Sequence, residues 1–101
     1  MDKLNELIDQ SEKLIIVKIN ADWCTACRTL RNHIMMVLPK WEDKVDFIEI
    51  DIEKNLEVMK KFEVNTIPTI IFIKDGFTLN TTSGVISSTV FEKILVKYLE
   101  L

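Results

Sequence analysis

Residues 14–30 read LIIVKINADWCTACRTL, and this stretch decides the fold. It opens with the apolar run Leu14-Ile15-Ile16-Val17, a pattern typical of a parallel strand that is covered on both faces. Cys24 and Cys27 follow, directly before a helix-like pattern. They are the only two cysteines in the chain, and they lie too close in sequence to staple a fold. The pair therefore indicates a catalytic or a metal-binding site.

Apolar residues on both sides of this stretch predict alternating helices and strands. Leu4, Leu7 and Ile8 recur at helical spacing before the first strand. After the cysteines the pattern predicts, in order, a helix ended by Pro39, a strand over 45–52, a helix capped by Asn55 that runs to Phe62, a strand over 69–73, an Asp-Gly turn at 75–76, a strand over 77–82 closed by Gly84, and a last helix with a capping box over 89–92. This order predicts an α/β sandwich with a mixed sheet.

Length and composition limit the possible classes of protein. A chain of 101 residues, 48% of them hydrophobic, predicts one domain over residues 1–101 with a single core. The formal charge is -3, and acids and bases are mixed along the whole chain. No basic stripe of the kind that nucleic acids require is present in the sequence, so nucleic acid is not expected as a partner.

The first ten residues are acidic and amphipathic, without the basic start and apolar centre of an export signal. No apolar run approaches the ~20 residues that span a bilayer. We therefore expect a protein of the cytoplasm that does not insert stably into a membrane.

The position of the two cysteines suits thiol chemistry. A thiol attacks a disulfide only as its thiolate, and the N-terminus of a helix lowers the pKa of a cysteine there. Cys24 is predicted to occupy that place. Cys27 lies one helical turn further on the same face, within reach of a disulfide. We expect Cys24 to attack a substrate disulfide and Cys27 to resolve the mixed disulfide.

Metal binding is the alternative interpretation of the cysteine pair. A structural zinc site needs about four ligands, and the chain offers one histidine, His33, and no second Cys-x-x-Cys. We therefore predict no metal site, and we expect His33 to be a surface residue of the helix.

Residues outside the cysteine pair complete a family pattern. Thr66-Ile67-Pro68-Thr69 begins a second apolar strand. The distances in sequence from the cysteines to Pro68, Gly76 and Gly84 match those of a known family pattern. In these positions the chain resembles the thioredoxin family over essentially its whole length. The resemblance implies a thioredoxin fold, a central mixed sheet flanked by helices. The first family strand has no counterpart here, so about four strands are expected, with residues 45–52 on an edge.

The resemblance also implies a substrate site and an activity. The bond before Pro68 is expected to be cis, and Thr66, Ile67 and Pro68 are expected to join Trp23 as an apolar docking surface around Cys24. The implied activity is the reduction of protein disulfides by dithiol-disulfide exchange at a Cys-Thr-Ala-Cys site. The implied partners are disulfide-containing proteins and an electron donor, either a thioredoxin reductase or another dithiol protein. No cofactor is implied within the chain, and a monomer is expected.

Two positions depart from the family pattern. Lys18 stands where the family has a buried aspartate behind the resolving cysteine, and Glu49 stands where it has a lysine on the neighbouring strand. We expect the two side chains to pair with exchanged charges. Lys18 would then favour the Cys27 thiolate, and Glu49 would be the candidate proton acceptor. In the alternative, Lys18 extends to water past an exposed strand edge.

Two other functions remain open at this point. The string Ala21-Asp22-Trp23-Cys24 is also similar to soluble reductase domains of transmembrane electron-transfer systems, which act outside the cytoplasm. The fold could alternatively serve as a binding module whose cysteines do not turn over. Thr25-Ala26 replaces the Gly-Pro usual in the family, and these two residues tune the balance between dithiol and disulfide.

Overall fold

A computed structural model describes residues 2–100 of the chain. The elements in chain order are α1 (Asp2–Gln10), β1 (Leu14–Asn20), α2 (Thr25–Met35), a short 3-10 helix (Leu38–Trp41), β2 (Val45–Asp51), α3 (Leu56–Lys61), β3 (Thr69–Lys74), β4 (Phe77–Ser83) and α4 (Ser88–Leu99).

Within residues 2–100, the strands form one four-stranded mixed sheet in the order β2-β1-β3-β4. β1 pairs in parallel with β2 and antiparallel with β3, and β3 continues into β4 through a hairpin. Asp75 and Gly76 both have positive φ in the turn, as the predicted Asp-Gly hairpin requires. The predicted α/β fold is confirmed, and β2 lies on an edge of the sheet as expected.

The central strand β1 is buried on both faces. Ile16 faces α2 and α4, where it packs in a cluster with Leu30, Phe72 and Phe91. Ile15 belongs to a second cluster on the opposite face of the sheet, together with residues from α1 and α3. Burial on both faces explains why residues 14–17 are all apolar.

The predicted end of α2 at Pro39 is wrong. The helix ends at Met35, and the backbone N–H of Val37 turns back to the carbonyl of Ile34 at 3.0 Å. Pro39 lies in the first turn of the following 3-10 helix. A proline is tolerated there because its missing N–H has no partner in the first turn of a helix.

Both predicted helix caps need correction. Asn55 occupies the N-cap position of α3 as predicted, but its side chain makes no bond into that helix and instead donates to the carbonyl of Asp51 at 3.3 Å. The capping box over 89–92 is wrong, because Thr89 already lies inside α4. Ser87 caps α4, and its hydroxyl accepts the backbone N–H of Val90 at 3.1 Å.

Candidate active site

The two cysteines lie where β1 passes into α2, at the carboxyl end of the central strand. Cys24 is the N-cap residue of α2, and its sulfur accepts the backbone N–H of Cys27 at 3.1 Å. The pair is joined in a disulfide with a Cα–Cα distance of 5.2 Å. Cys24 is 6% exposed and Cys27 is 2% exposed. The helix N-terminus therefore faces the more accessible sulfur, and the second thiol lies behind it.

A loop with a cis proline lies against the cysteines. The Ile67–Pro68 bond is cis, as predicted. Ile67 packs on a small cluster that contains Cys24 and Cys27. The loop is fixed at its other side, since the backbone N–H of Gly84 donates to the carbonyl of Pro68 at 2.9 Å.

Of the four residues of the predicted docking surface, Trp23 and Thr66 are exposed, Ile67 is half-buried and Pro68 is buried. Thr66 lies on the same loop, and its carbonyl accepts the hydroxyl of Thr69 at 2.7 Å. Trp23 is 66% exposed next to Cys24, and its indole N–H donates to Glu53. The exposed indole is therefore held in place by a residue that follows β2.

Lys18 and Glu49 form the predicted ion pair. They are direct neighbours in the parallel register of β1 and β2, and Lys18 Nζ lies 3.1 Å from Glu49 Oε2. Lys18 Nζ also donates to Asn20 Oδ1 at 3.0 Å. The alternative, in which Lys18 reaches water past a strand edge, is wrong. Lys18 lies on the central strand, and its side chain is only 2% exposed.

Arg31 joins this pair, although the sequence pattern did not predict it. Its Nε donates to Glu49 Oε1 at 2.9 Å, so both carboxylate oxygens of Glu49 are engaged by cations. Burial raises the pKa of Glu49, but the hydrogen bonds from Arg31 and Lys18 together outweigh it and hold that pKa below its usual range. The only available signal was spacing, because Arg31 follows Cys27 by one turn on α2.

The ionic cluster shares a cavity with the second cysteine. This cavity of about 200 Å³ lies between β1, β2 and the first turns of α2. Its lining residues are Lys18, Asn20, Ala21, Asp22, Cys27, Arg28, Arg31 and Glu49. Charged side chains from three parts of the fold therefore converge beside Cys27.

Comparison with known proteins places this chain in a family. The sequence model of the family described as Thioredoxin matches residues 1–97. This chain belongs to the thioredoxin family. It is 34% identical to thioredoxin H8 of Arabidopsis thaliana over 83 residues, which cover 82% of this chain and 55% of that protein. It is 26% identical to the thioredoxin of Bacillus subtilis over 91 residues, which cover 90% of this chain and 88% of that one.

Solved structures agree with this membership. The crystal structure of Fasciola hepatica thioredoxin superposes with a TM-score of 0.83 at 30% identity, over 94% of this chain and 91% of that one. Plasmodium falciparum thioredoxin superposes with a TM-score of 0.86 at 26% identity, over 97% of this chain and 93% of that one. The chain spans little more than half the length of the two Arabidopsis relatives H8 and H2, 55% and 57%.

Outside the site, this thioredoxin-family chain holds its one histidine in a structural contact. His33 is half-buried in the last turn of α2, where Nδ1 lies 2.9 Å from the carbonyl of Ile86. Across residues 2–100, no three histidine, cysteine, aspartate or glutamate side chains lie close enough together to hold a metal ion. None of the helices in the same range has the length and apolar character needed to cross a bilayer.

Proposed function

We propose that this protein is a thiol-disulfide oxidoreductase that reduces disulfides of protein substrates. One observation carries the proposal. Cys24 and Cys27 lie at disulfide distance at the N-terminus of α2, and the loop before cis-Pro68 packs against them. Membership of the thioredoxin family supports the same activity.

Cys24 is the proposed nucleophile and Cys27 the proposed resolving thiol. The Cys24 thiolate attacks one sulfur of the substrate disulfide, and the other substrate sulfur leaves as a thiolate that takes up a proton. Cys27 then loses its proton and attacks the Cys24 sulfur of the mixed disulfide, which releases the second substrate thiol. Two electrons pass from the cysteine pair to the substrate, and the Cys24–Cys27 disulfide is the oxidised product.

The substrate is proposed to dock on Trp23, Thr66, Ile67 and Pro68. Exposure of Trp23 and Thr66 supports this role, since each is accessible beside the buried cysteines. An extended substrate segment would lie along the cis-proline loop with its disulfide over Cys24. Trp23→Ala is expected to raise KM for a protein disulfide more than it lowers kcat, because it removes docking area and leaves the thiols in place.

Lys18 and Glu49 are proposed to serve the resolving step. Lys18 is buried in the cavity that Cys27 lines, and its positive charge favours the Cys27 thiolate. Glu49 is the proposed acceptor of the Cys27 proton. If so, Glu49→Gln will slow turnover most at low pH, where fewer Cys27 thiols are ionised, even though the loss of its negative charge favours the Cys27 thiolate. A profile of turnover against pH that matches that of the wild type would remove Glu49 from the reaction.

The experiment that tests the activity is insulin reduction driven by dithiothreitol. Wild type should accelerate precipitation of the insulin B chain well beyond dithiothreitol alone, and Cys24→Ser should abolish the acceleration. Reduced Cys27→Ser, mixed with the substrate after dithiothreitol has been removed, should instead accumulate a covalent adduct through Cys24, visible on a non-reducing gel. A wild type no faster than dithiothreitol would favour a binding module whose cysteines do not turn over.

Electrons are proposed to come from a thioredoxin reductase or another dithiol protein, and the chain is proposed to act as a cytoplasmic monomer. Some relatives carry the word chloroplastic in their names, including thioredoxin Y of rice, so location needs its own test. Cell fractionation and analytical ultracentrifugation at micromolar concentration address location and oligomeric state separately. A stable dimer would contradict the proposed monomer, and the edge strand β2 would be the first place to look for the contact between the two chains.

A further inference from the structure

The charges around Cys27 do not cancel. Among the described residues that line its cavity, Lys18, Arg28 and Arg31 are cationic, and Asp22 and Glu49 are anionic. The excess of one positive charge lies beside Cys27, which is 2% exposed. Lys18 is buried, whereas the Arg31 side chain is 51% exposed, so solvent screens the charge of Arg31 in part.

Arg31 provides this excess through a defined contact. Lys18 and Glu49 alone would form a neutral pair across β1 and β2, 3.1 Å apart. Arg31 adds a second cation to the same carboxylate at 2.9 Å, and it does so from the helix that carries Cys27. Arg28 differs, because its guanidinium turns to the carbonyl of Asp22 and the hydroxyl of Thr25. Arg31 is therefore the residue that links α2 to the buried pair.

We infer that Arg31 is a positioning residue for the resolving thiol, which holds Glu49 and keeps the Lys18–Glu49–Arg31 cluster net positive beside Cys27. The positive cluster raises the thiolate fraction of Cys27 in the reduced protein. This inference rests on the proposed function only for its consequence in turnover. The charge effect on Cys27 stands without any substrate.

The same cluster affects the redox balance of the pair. Reduction of the Cys24–Cys27 disulfide takes up two electrons, and it takes up one proton instead of two when one thiol stays ionised. A cation that stabilises the thiolate stabilises the reduced form and so makes the pair a weaker reductant. Loss of Arg31 should therefore make the protein a stronger reductant.

The direct test is a titration of Cys27 in a Cys24→Ser background, where thiolate absorbance near 240 nm reports the single remaining thiol. Arg31→Gln should lower the thiolate-to-thiol ratio at a fixed pH by about three- to tenfold, the effect of one nearby charge that is partly screened. Arg31→Lys should restore most of the ratio, because it keeps the charge. Lys93→Gln is the matched control, since it removes one positive charge from an exposed position on α4.

Equal shifts in Arg31→Gln and Lys93→Gln would overturn the inference, because they would report only the net charge of the protein. An unchanged ratio in Arg31→Gln, or an equal loss in Arg31→Lys and Arg31→Gln, would also overturn it. The Arg31 side chain is 51% exposed, so these variants are expected to fold, and circular dichroism checks this.

A second measurement uses the intact cysteine pair. Arg31→Gln should shift the equilibrium with dithiothreitol toward the protein disulfide, by the same factor at a pH where the Cys27 thiolate predominates and by less at lower pH. A tenfold shift equals about 30 mV for a two-electron couple. Failure of insulin reduction in wild type with a normal Arg31 effect on Cys27 would count against the proposed function and leave this inference intact. An active wild type in which Arg31→Gln does not change the thiolate-to-thiol ratio of Cys27 would support the proposed function and overturn this inference.

Discussion

Lys18 carries a charge into the centre of the sheet, where lysine is rarely found without a partner. Its partners are Glu49 and Asn20, and the strand register explains why the pairing could be predicted. Parallel neighbours place Lys18 and Glu49 side by side once β1 and β2 are assigned. The contact of Arg31 could not be predicted in the same way, because it depends on how α2 packs across the sheet.

The lowered pKa of Glu49 predicts a specific loss of stability in acid. Burial opposes ionisation of Glu49, but the bonds from Arg31 and Lys18 lower its pKa in the folded state. The carboxylate therefore stabilises the fold above the ordinary glutamate pKa, and this contribution is lost as the pH falls through the lowered folded-state pKa. Glu49→Gln should lose less free energy of unfolding than wild type between about pH 7 and about pH 3.

Urea denaturation at both pH values measures this difference. Glu92→Gln on α4 is the comparison, because hydrogen bonds from Lys40 and Trp41 lower the pKa of Glu92. It should also reduce the loss of stability in acid, without any change at the cysteine site. An acid dependence in Glu49→Gln as steep as that of wild type would mean that the Glu49 carboxylate makes no net contribution to stability.

At the scale of elements, the strands followed from the sequence and the helix ends did not. β1 and β3 are long apolar runs, which are typical of buried strands. The Asp-Gly pair between two apolar runs is typical of a hairpin turn. The end of α2 is set by packing, since Val37 and Leu38 are buried in the turn beyond the helix. The sequence pattern predicted a cap at Thr89, whereas the structure places the cap of α4 at Ser87.

Ser87→Ala should lower the free energy of unfolding by about 1 kcal/mol, because it removes the hydroxyl that accepts the N–H of Val90. Thr89→Ala is the matched control and should change stability by less than about 0.5 kcal/mol, since Thr89 is exposed inside the helix. Thermal and urea denaturation of both variants provide the comparison. A larger loss of free energy of unfolding in Thr89→Ala than in Ser87→Ala would indicate that Thr89 caps α4, as the sequence pattern predicted.

At the scale of the whole molecule, β1, β2 and β3 each contribute buried residues to both of the larger hydrophobic clusters, and β1 lies between the other two. Ile15 and Ile16 are adjacent in β1 and fully buried on opposite faces of the sheet. The sequence indicated this through its unbroken apolar run. That residues 1–101 form one cooperative domain stays a prediction, which follows because neither cluster can lose β1 without the other.

The matched substitutions Ile15→Val and Ile16→Val test this prediction. Each removes one methylene from a packed face and should lower the free energy of unfolding by about 0.5–1.5 kcal/mol. Both variants should keep a single unfolding transition that fluorescence and circular dichroism report together. Separate transitions for the two faces would contradict a single cooperative domain.

The most direct test of the whole account is the equilibrium reduction potential of the Cys24–Cys27 pair, by thiol trapping across dithiothreitol redox buffers. We predict one reversible two-electron transition between about -270 mV, the value for thioredoxin, and about -200 mV, the upper value for glutaredoxins, because the cation cluster stabilises the reduced form. A potential above about -180 mV would contradict a reductase of protein disulfides. Failure of the pair to form its disulfide at all would contradict the redox function itself.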